Sequence, residues 1–125
     1  MNLLLDSHTL IWALSAPERL KLKARSSIED STNMVFYSTA SIWEISIKSS
    51  KGLLRLSERF LDSLAEAQFR ELPIRTAHAW AIQSLRSIHN DPFDRMLVAQ
   101  AHVERSMLVT RDRFLEAYGV PILEA

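Results

Sequence analysis

The stretch "NLLLDSHTLIWAL", Asn2 to Leu14, joins two patterns across one acid. "NLLL" is a short apolar run that reads as a buried strand. In the "SHTLIWAL" that follows, Leu10, Ile11 and Leu14 recur at helical spacing. Asp6 therefore stands at a strand-to-helix junction. Working outward, the same alternation continues. Pro17 opens a helix predicted to run to about Asp30, "MVFY" is a second buried strand, and "STASIWEISIKSS" is a helix that Gly52 can terminate. Ser57 can cap a helix to about Gln68, "FRELPI" is a short strand, and "TAHAWAIQSLRS" and "PFDRMLVAQAHVERS" are helices. "MLVT" is another strand, and "DRFLEAY" forms a last helical turn before "VPIL". Short apolar strands alternating with longer helices predict an α/β fold: crossover units around a central parallel sheet covered on both faces. In such sheets, side chains just past the carboxyl ends of the strands gather at one edge, where ligands bind.

Composition sets the limits. With 125 residues, 47% hydrophobic and 24% charged, the chain suits a single domain spanning 1–125. Two glycines and four prolines leave no linker or low-complexity tract. No apolar run of about twenty residues exists, and Asp6 interrupts what a signal peptide would continue, so a soluble cytoplasmic protein with no membrane partner is expected. Cysteine is absent, which excludes disulfides, thiolate metal sites and cysteine nucleophiles. Fifteen Lys plus Arg balance fifteen Asp plus Glu, unlike a non-specific nucleic-acid coater. Local groups remain in "RLKLKAR" and at Lys48, Lys51, Arg55 and Arg59, each more simply read as a solvated helix face.

Four of the fifteen acids resist a solvated reading. Asp6 and Asp112 follow "LLL" and "MLVT" and project to the carboxyl edge. Each can equally serve as a helix N-terminal carboxylate, Asp6 as N-cap and Asp112 behind a Thr110 cap. Glu44 shares a helical face with Ala40, Trp43 and Ile47, where an unpaired charge costs several kcal/mol; its partner is either Lys48 one turn on or a divalent cation. In "HNDPFDRMLVAQA", Pro92 suits the first helical position, which makes Asp91 the N-cap. Asp94 lies in line with Leu97, Val98 and Ala101, so Asp91 is read as cap and Asp94 as chemistry. Four ionised carboxylates on one rim require protonation or a cation. An all-oxygen set with no cysteine and no histidine pair at zinc spacing fits Mg2+ or Mn2+, and a substrate containing phosphate. Trp12, Trp43 and Trp80 lie in helical apolar patterns and are read as core or interface rather than base-stacking platforms, and His102 as a helix-surface residue.

The motifs "LLLDSHTLIWAL", "ASIWEISIK", "HNDPFDRMLVAQA" and "LVTRDRFLEAYGV" occur in the order seen in PIN-domain proteins. From Leu3 to about Val120 the chain resembles the toxin ribonucleases of VapBC-type toxin–antitoxin modules. The resemblance implies a three-layer α/β/α PIN fold and a metal-dependent endoribonuclease using Mg2+ or Mn2+. It also implies a cognate antitoxin over the active site, a homodimer, and operator DNA contacted only through the antitoxin. Carried over by position, the family's acids fall on Asp6, Glu44, Asp94 and Asp112, with Asp6, Asp94 and Asp112 holding metal and Glu44 nearby. Ser7 stands where Thr is common, and "IHND" where a double-histidine version is often found. The likeness further assigns Thr110 to support of Asp112 and Arg95 or Arg111 to a phosphate, and implies products with a 5′-phosphate and a 3′-hydroxyl. His8, His78, His89 and His102 show no acid–base pairing, so no histidine is required. The rival readings are a non-catalytic PIN scaffold acting through an antitoxin, and another Mg2+-dependent phosphohydrolase or receiver domain. A receiver needs paired acids after the first strand and a late lysine, which "LDSH" and "VTRD" do not provide.

Overall fold

The computed structural model describes residues 1–125. Strand β1 (Asn2–Leu5) passes through Asp6 directly into helix α1 (Ser7–Ser15). The single helix expected from Pro17 to Asp30 is two pieces, a 3-10 turn at Pro17–Arg19 and helix α2 (Leu22–Glu29). Leu20 and Lys21 between them are extended, with ψ of 148° and 145°. Leu20 is buried in the core, and Lys21 reaches Glu124 at 2.6 Å, so tertiary contacts on adjacent residues override helix continuity. Strand β2 (Met34–Ser38) runs into α3 (Thr39–Ser50), with the Ser38 hydroxyl accepting the Ala40 N–H at the N-cap.

Helix α4 (Phe60–Glu66) begins later than expected. Ser57 closes a turn ahead of it, accepting the Arg59 N–H on its hydroxyl and the Phe60 N–H on its carbonyl. Strand β3 (Arg70–Leu72), α5 (Thr76–Ala81) with a 3-10 turn at Ile82–Ser84, α6 (Pro92–Glu104) and β4 (Met107–Thr110) follow. Arg113–Tyr118 is a 3-10 segment, and Ile122–Glu124 forms a fifth strand, β5, that the pattern did not announce. Three residues after a proline carry too little alternation to read as a strand, and only pairing with β4 makes them one.

All four ladders are parallel, in the order β3-β2-β1-β4-β5. Central β1 aligns Leu5 with Tyr37 on one side and Val109 on the other. Its side chains alternate between two cores. Leu3 and Leu5 join Leu10, Ala24, Ile45 and Leu64 from α1–α4 on one face, while Leu4 joins Leu97, Val98, Ala101 and Leu115 on the other. The result is the three-layer α/β/α arrangement. Each fully buried leucine contributes about 2 kcal/mol relative to exposure, which holds the strand ends, and the acids beyond them, in register. The chain leaves β1 towards β2 and returns to it at β4, so Asp6 occupies the switch point of the sheet. No helix is long and apolar enough to cross a membrane.

Candidate active site

Asp6 is fixed from both sides. Its Oδ1 accepts the Thr9 N–H at 2.9 Å as the N-cap of α1, and its Oδ2 accepts the Thr110 hydroxyl at 2.6 Å. Its own N–H donates to Val109 O, so the carboxylate is anchored to β4 through the ladder as well. The fully buried Thr110 hydroxyl also accepts the Asp112 N–H at 3.0 Å. Thr110 thus supports both acids, Asp6 through its side chain and Asp112 through the backbone. Asp112 in turn caps the 3-10 segment by accepting the Phe114 N–H. Helix capping and site geometry are the same hydrogen bonds at both positions, so the two readings of Asp6 and Asp112 do not compete.

Glu44 is 7% exposed and fully paired. One carboxylate oxygen accepts the Ser7 hydroxyl, and the other accepts the Lys48 ammonium at 2.7 Å. The Lys48 pKa is raised, first by that hydrogen bond and further by the charges of Asp91 and Asp94. Ser7, Glu44, Lys48 and His8 line a cavity of about 210 Å³ beside the carboxyl edge. A larger cavity, about 360 Å³, opens at the opposite ends of β2 and β3 around Asp30, Met34 and Arg70, away from every candidate acid.

Asp91 is the N-cap of α6, accepting the Phe93 and Asp94 N–H groups, with Pro92 behind it at the first helical position. Asp94 points elsewhere. No protein hydrogen bond reaches its carboxylate, and the nearest cation-capable atom is His89 Nε2 at 3.6 Å. Burial, followed by the charge of Asp91, pushes its pKa up to about 7; Asp6 and Glu44 add to the rise, and His89 opposes it. Asp94, Asp112 and His89 place ligand atoms within 4.8 Å of one another. Asp6 and Glu44 lie outside that set, near enough for their charges to act on Asp94.

His89 is the residue that sequence reasoning passed over. Its Nδ1 accepts the Asp91 N–H at 3.2 Å, so in the neutral ring the proton resides on Nε2, which donates to Asp112 at 3.2 Å. A protonated Nε2 does not ligate a metal. In this geometry His89 is a donor that holds Asp112 and screens Asp94, and the oxygen atoms remain the ligand set. The signal in the sequence was its place two residues before a helix cap, where a ring can reach the next strand's loop.

Other expectations meet corrections. The Arg95 guanidinium is turned onto the carbonyls of Ile82, Arg86 and His89 and onto the Tyr118 hydroxyl; it ties down the 82–89 connection and is not free to meet a phosphate. Arg111 lies over the Trp12 ring at 4.8 Å, and Arg19 meets the same ring at 5.0 Å. Trp12 is core, but Trp43 and Trp80 are 60% and 73% exposed. His102 is exposed, as read, and its Nε2 meets Tyr118 O at 3.0 Å.

The donor set fits a hard divalent cation. Asp94 is a desolvated carboxylate without a donor, surrounded by further carboxylates that raise its pKa, and a cation at that point would relieve both penalties.

A family model described as the PIN domain matches residues 3–120. Ribonuclease VapC22 of Mycobacterium tuberculosis is 30% identical over 124 residues, spanning 96% of this chain and 94% of that protein. Among solved structures, VapBC2 from Rickettsia felis, bound to a DNA fragment from its promoter, superposes with a TM-score of 0.72 at 15% identity and covers 98% of each chain. DNA-bound VapBC from Salmonella typhimurium gives 0.70 at 18% identity, covering 98% of this chain and 97% of that one. At those identities the structures establish the shared fold.

Proposed function

The chain belongs to the PIN-domain family, and from that premise we propose that it is a metal-dependent endoribonuclease, the toxin of a VapBC-type toxin–antitoxin pair. The observation that carries the reading is the bare Asp94 carboxylate, raised to about 7 at the carboxyl edge of a parallel sheet by burial and by neighbouring acids. A scaffold without chemistry gains nothing from that repulsion. Asp6, Asp94 and Asp112 would hold Mg2+ or Mn2+, with Glu44 nearby. When bound, the cation supplies a water nucleophile at neutral pH, a template for the phosphate and charge neutralisation at the leaving oxygen.

The chain's own groups prepare that site. Thr9 and Thr110 leave Asp6 one orientation. His89 Nε2–H holds Asp112 while its Nδ1 is pinned to the α6 cap, so one ring fixes the spacing between β4 and α6. The Ser7 hydroxyl and the Lys48 ammonium pair both oxygens of the buried Glu44 carboxyl group, and Lys48 offsets part of the negative field. No pair of histidines stands across a vacant reaction centre to act as acid and base, which favours hydrolysis to a 5′-phosphate and a 3′-hydroxyl over transfer to a cyclic phosphate. An RNA substrate, a cognate antitoxin, a homodimer and operator DNA reached through the antitoxin belong to the same reading. The test is cleavage of a mixed RNA panel with Mg2+ or Mn2+, set beside EDTA and the Asp94→Asn variant, with end-group analysis. Fragments lost in both controls and bearing 5′-phosphates support it. A 2′,3′-cyclic phosphate product, or cutting that survives either control, would overturn it.

A further inference from the structure

His89 sits in the connection between the 3-10 turn at Ile82–Ser84 and α6, a segment with little apolar surface to hold it. Leu85 packs against the second core, but Arg86, Ser87 and Ile88 are exposed. So few buried contacts do not by themselves fix the direction of a ring. Both backbone groups of His89 are engaged from elsewhere in the fold. Its N–H donates to the Tyr118 hydroxyl at 2.8 Å, and its carbonyl accepts from the Arg95 guanidinium at 3.4 Å. The same hydroxyl accepts from Arg95 Nη1 at 3.3 Å and donates towards His89 O at 3.5 Å. Tyr118 is 8% exposed, its ring packed in the second core with Leu97, Val98 and Leu115, so the hydroxyl is carried on a fixed support. No hydrogen bond joins Tyr118 to any of the four acids.

A closed circuit results. Asp112 caps the 3-10 segment Arg113–Tyr118, and Tyr118 is its last residue. Asp112, at one end, meets His89 Nε2 at 3.2 Å, while Tyr118, at the other, takes the His89 N–H. The Asp91 N–H on Nδ1, also at 3.2 Å, is the third hold. Both ring bonds are longer than the backbone bond, so the ring follows the backbone position rather than imposing it. We propose that Tyr118 is a positioning residue for the acid site: its hydroxyl fixes the His89 backbone, and so sets the imidazole that donates to Asp112 and stands 3.6 Å from Asp94. The consequence for catalysis rests on the nuclease reading; the circuit itself does not. Groups that orient ligands from behind typically cost about tenfold or more in metal affinity or activity when lost.

The test is Tyr118→Phe, which keeps the core ring and removes only the hydroxyl. In metal-free protein the ring-nitrogen NMR shifts of neutral His89 should show one tautomer, protonated at Nε2, in wild type, and move towards those of an unrestrained ring in the variant. Mn2+ affinity should fall about tenfold, and kcat for RNA cleavage should fall with KM little changed. In a His89→Gln background Tyr118→Phe should have no further effect on affinity, because it acts through that ring. Val35→Ala, a core truncation at the amino end of β2, controls for lost stability and should leave Mn2+ affinity at the wild-type value. Unchanged tautomer shifts and Mn2+ affinity in Tyr118→Phe overturn the proposal and leave the nuclease reading standing. An equal loss of affinity with and without His89, or the same loss in Val35→Ala, also overturns it. If wild type cuts no RNA, the nuclease reading falls, and the tautomer comparison, which needs neither metal nor substrate, still decides whether Tyr118 sets the ring.

Discussion

Replacing Asp94 by Asn should make the metal-free protein more stable. With no divalent cation, burial and neighbouring acids hold the Asp94 carboxyl pKa at about 7 in the folded state, against an ordinary value of 3.8. Between those two values the folded protein keeps a proton that the unfolded chain has released. Stability therefore falls as pH rises through that window, and the full penalty is present above it. For a wholly shielded group the shift is worth about 4 kcal/mol. The side chain is still 23% exposed, and solvent screening roughly halves that figure to about 2 kcal/mol. In EDTA near pH 8, Asp94→Asn is therefore expected to melt about 6 °C above the parent for a chain of this length. Near pH 5 the gap should shrink to under about 1 kcal/mol, because most of the titration still lies ahead. Mg2+ or Mn2+ should narrow or invert the difference, since the parent gains binding energy that the variant forgoes. The assay is thermal denaturation by circular dichroism at both pH values, with and without metal. A variant no more stable than the parent near pH 8 in EDTA would refute the account of Asp94 as a carboxylate held under electrostatic load.

Thr110→Val removes a buried hydroxyl that donates to Asp6 and accepts from Asp112; it should cost about 1–3 kcal/mol in denaturant titration and depress cleavage, with Thr110→Ser recovering both. His89→Gln removes the ring bridging α6 and the β4 loop. It should lower metal affinity or cleavage by about tenfold and move the acid limb of the pH profile upward, because His89 opposes the rise in the Asp94 pKa. Gln100 is fully buried with its Oε1 unpartnered and only 3.5 Å contacts from Nε2, so Gln100→Met should cost under about 1 kcal/mol in the same titration.

Short-range chemistry was legible where neighbours in sequence decide it. The run before Asp6, the Asp91–Pro92 cap and the Ser38 entry to α3 are settled within a few residues by apolar period, a missing N–H or a hydroxyl acceptor. The break at Leu20–Lys21 and the β5 strand were not, because each depends on a partner outside its own local run, Glu124 near the far end of the chain for Lys21 and β4's register for β5. Arg95 shows the same limit. An arginine at a helix start is free to reach a phosphate until the fold brings three loop carbonyls within range.

The sequence by itself determined the α/β alternation, the absence of sulfur ligands and the four candidate acids, Asp6 and Asp112 past strand ends, Asp94 at a helix start and Glu44 on an apolar helix face, since these follow from residue type and local period. Only the tertiary structure decided which oxygens remain unsatisfied. Parallel pairing of β1 with β4 sets Thr110 against Asp6 across 104 positions, His89 takes its tautomer from the α6 cap, and Asp94 is left bare in the company of other charges. Burial, proton placement and the exposure of Trp43 and Trp80 are properties of surfaces in contact, and those surfaces exist only once the sheet has closed its register.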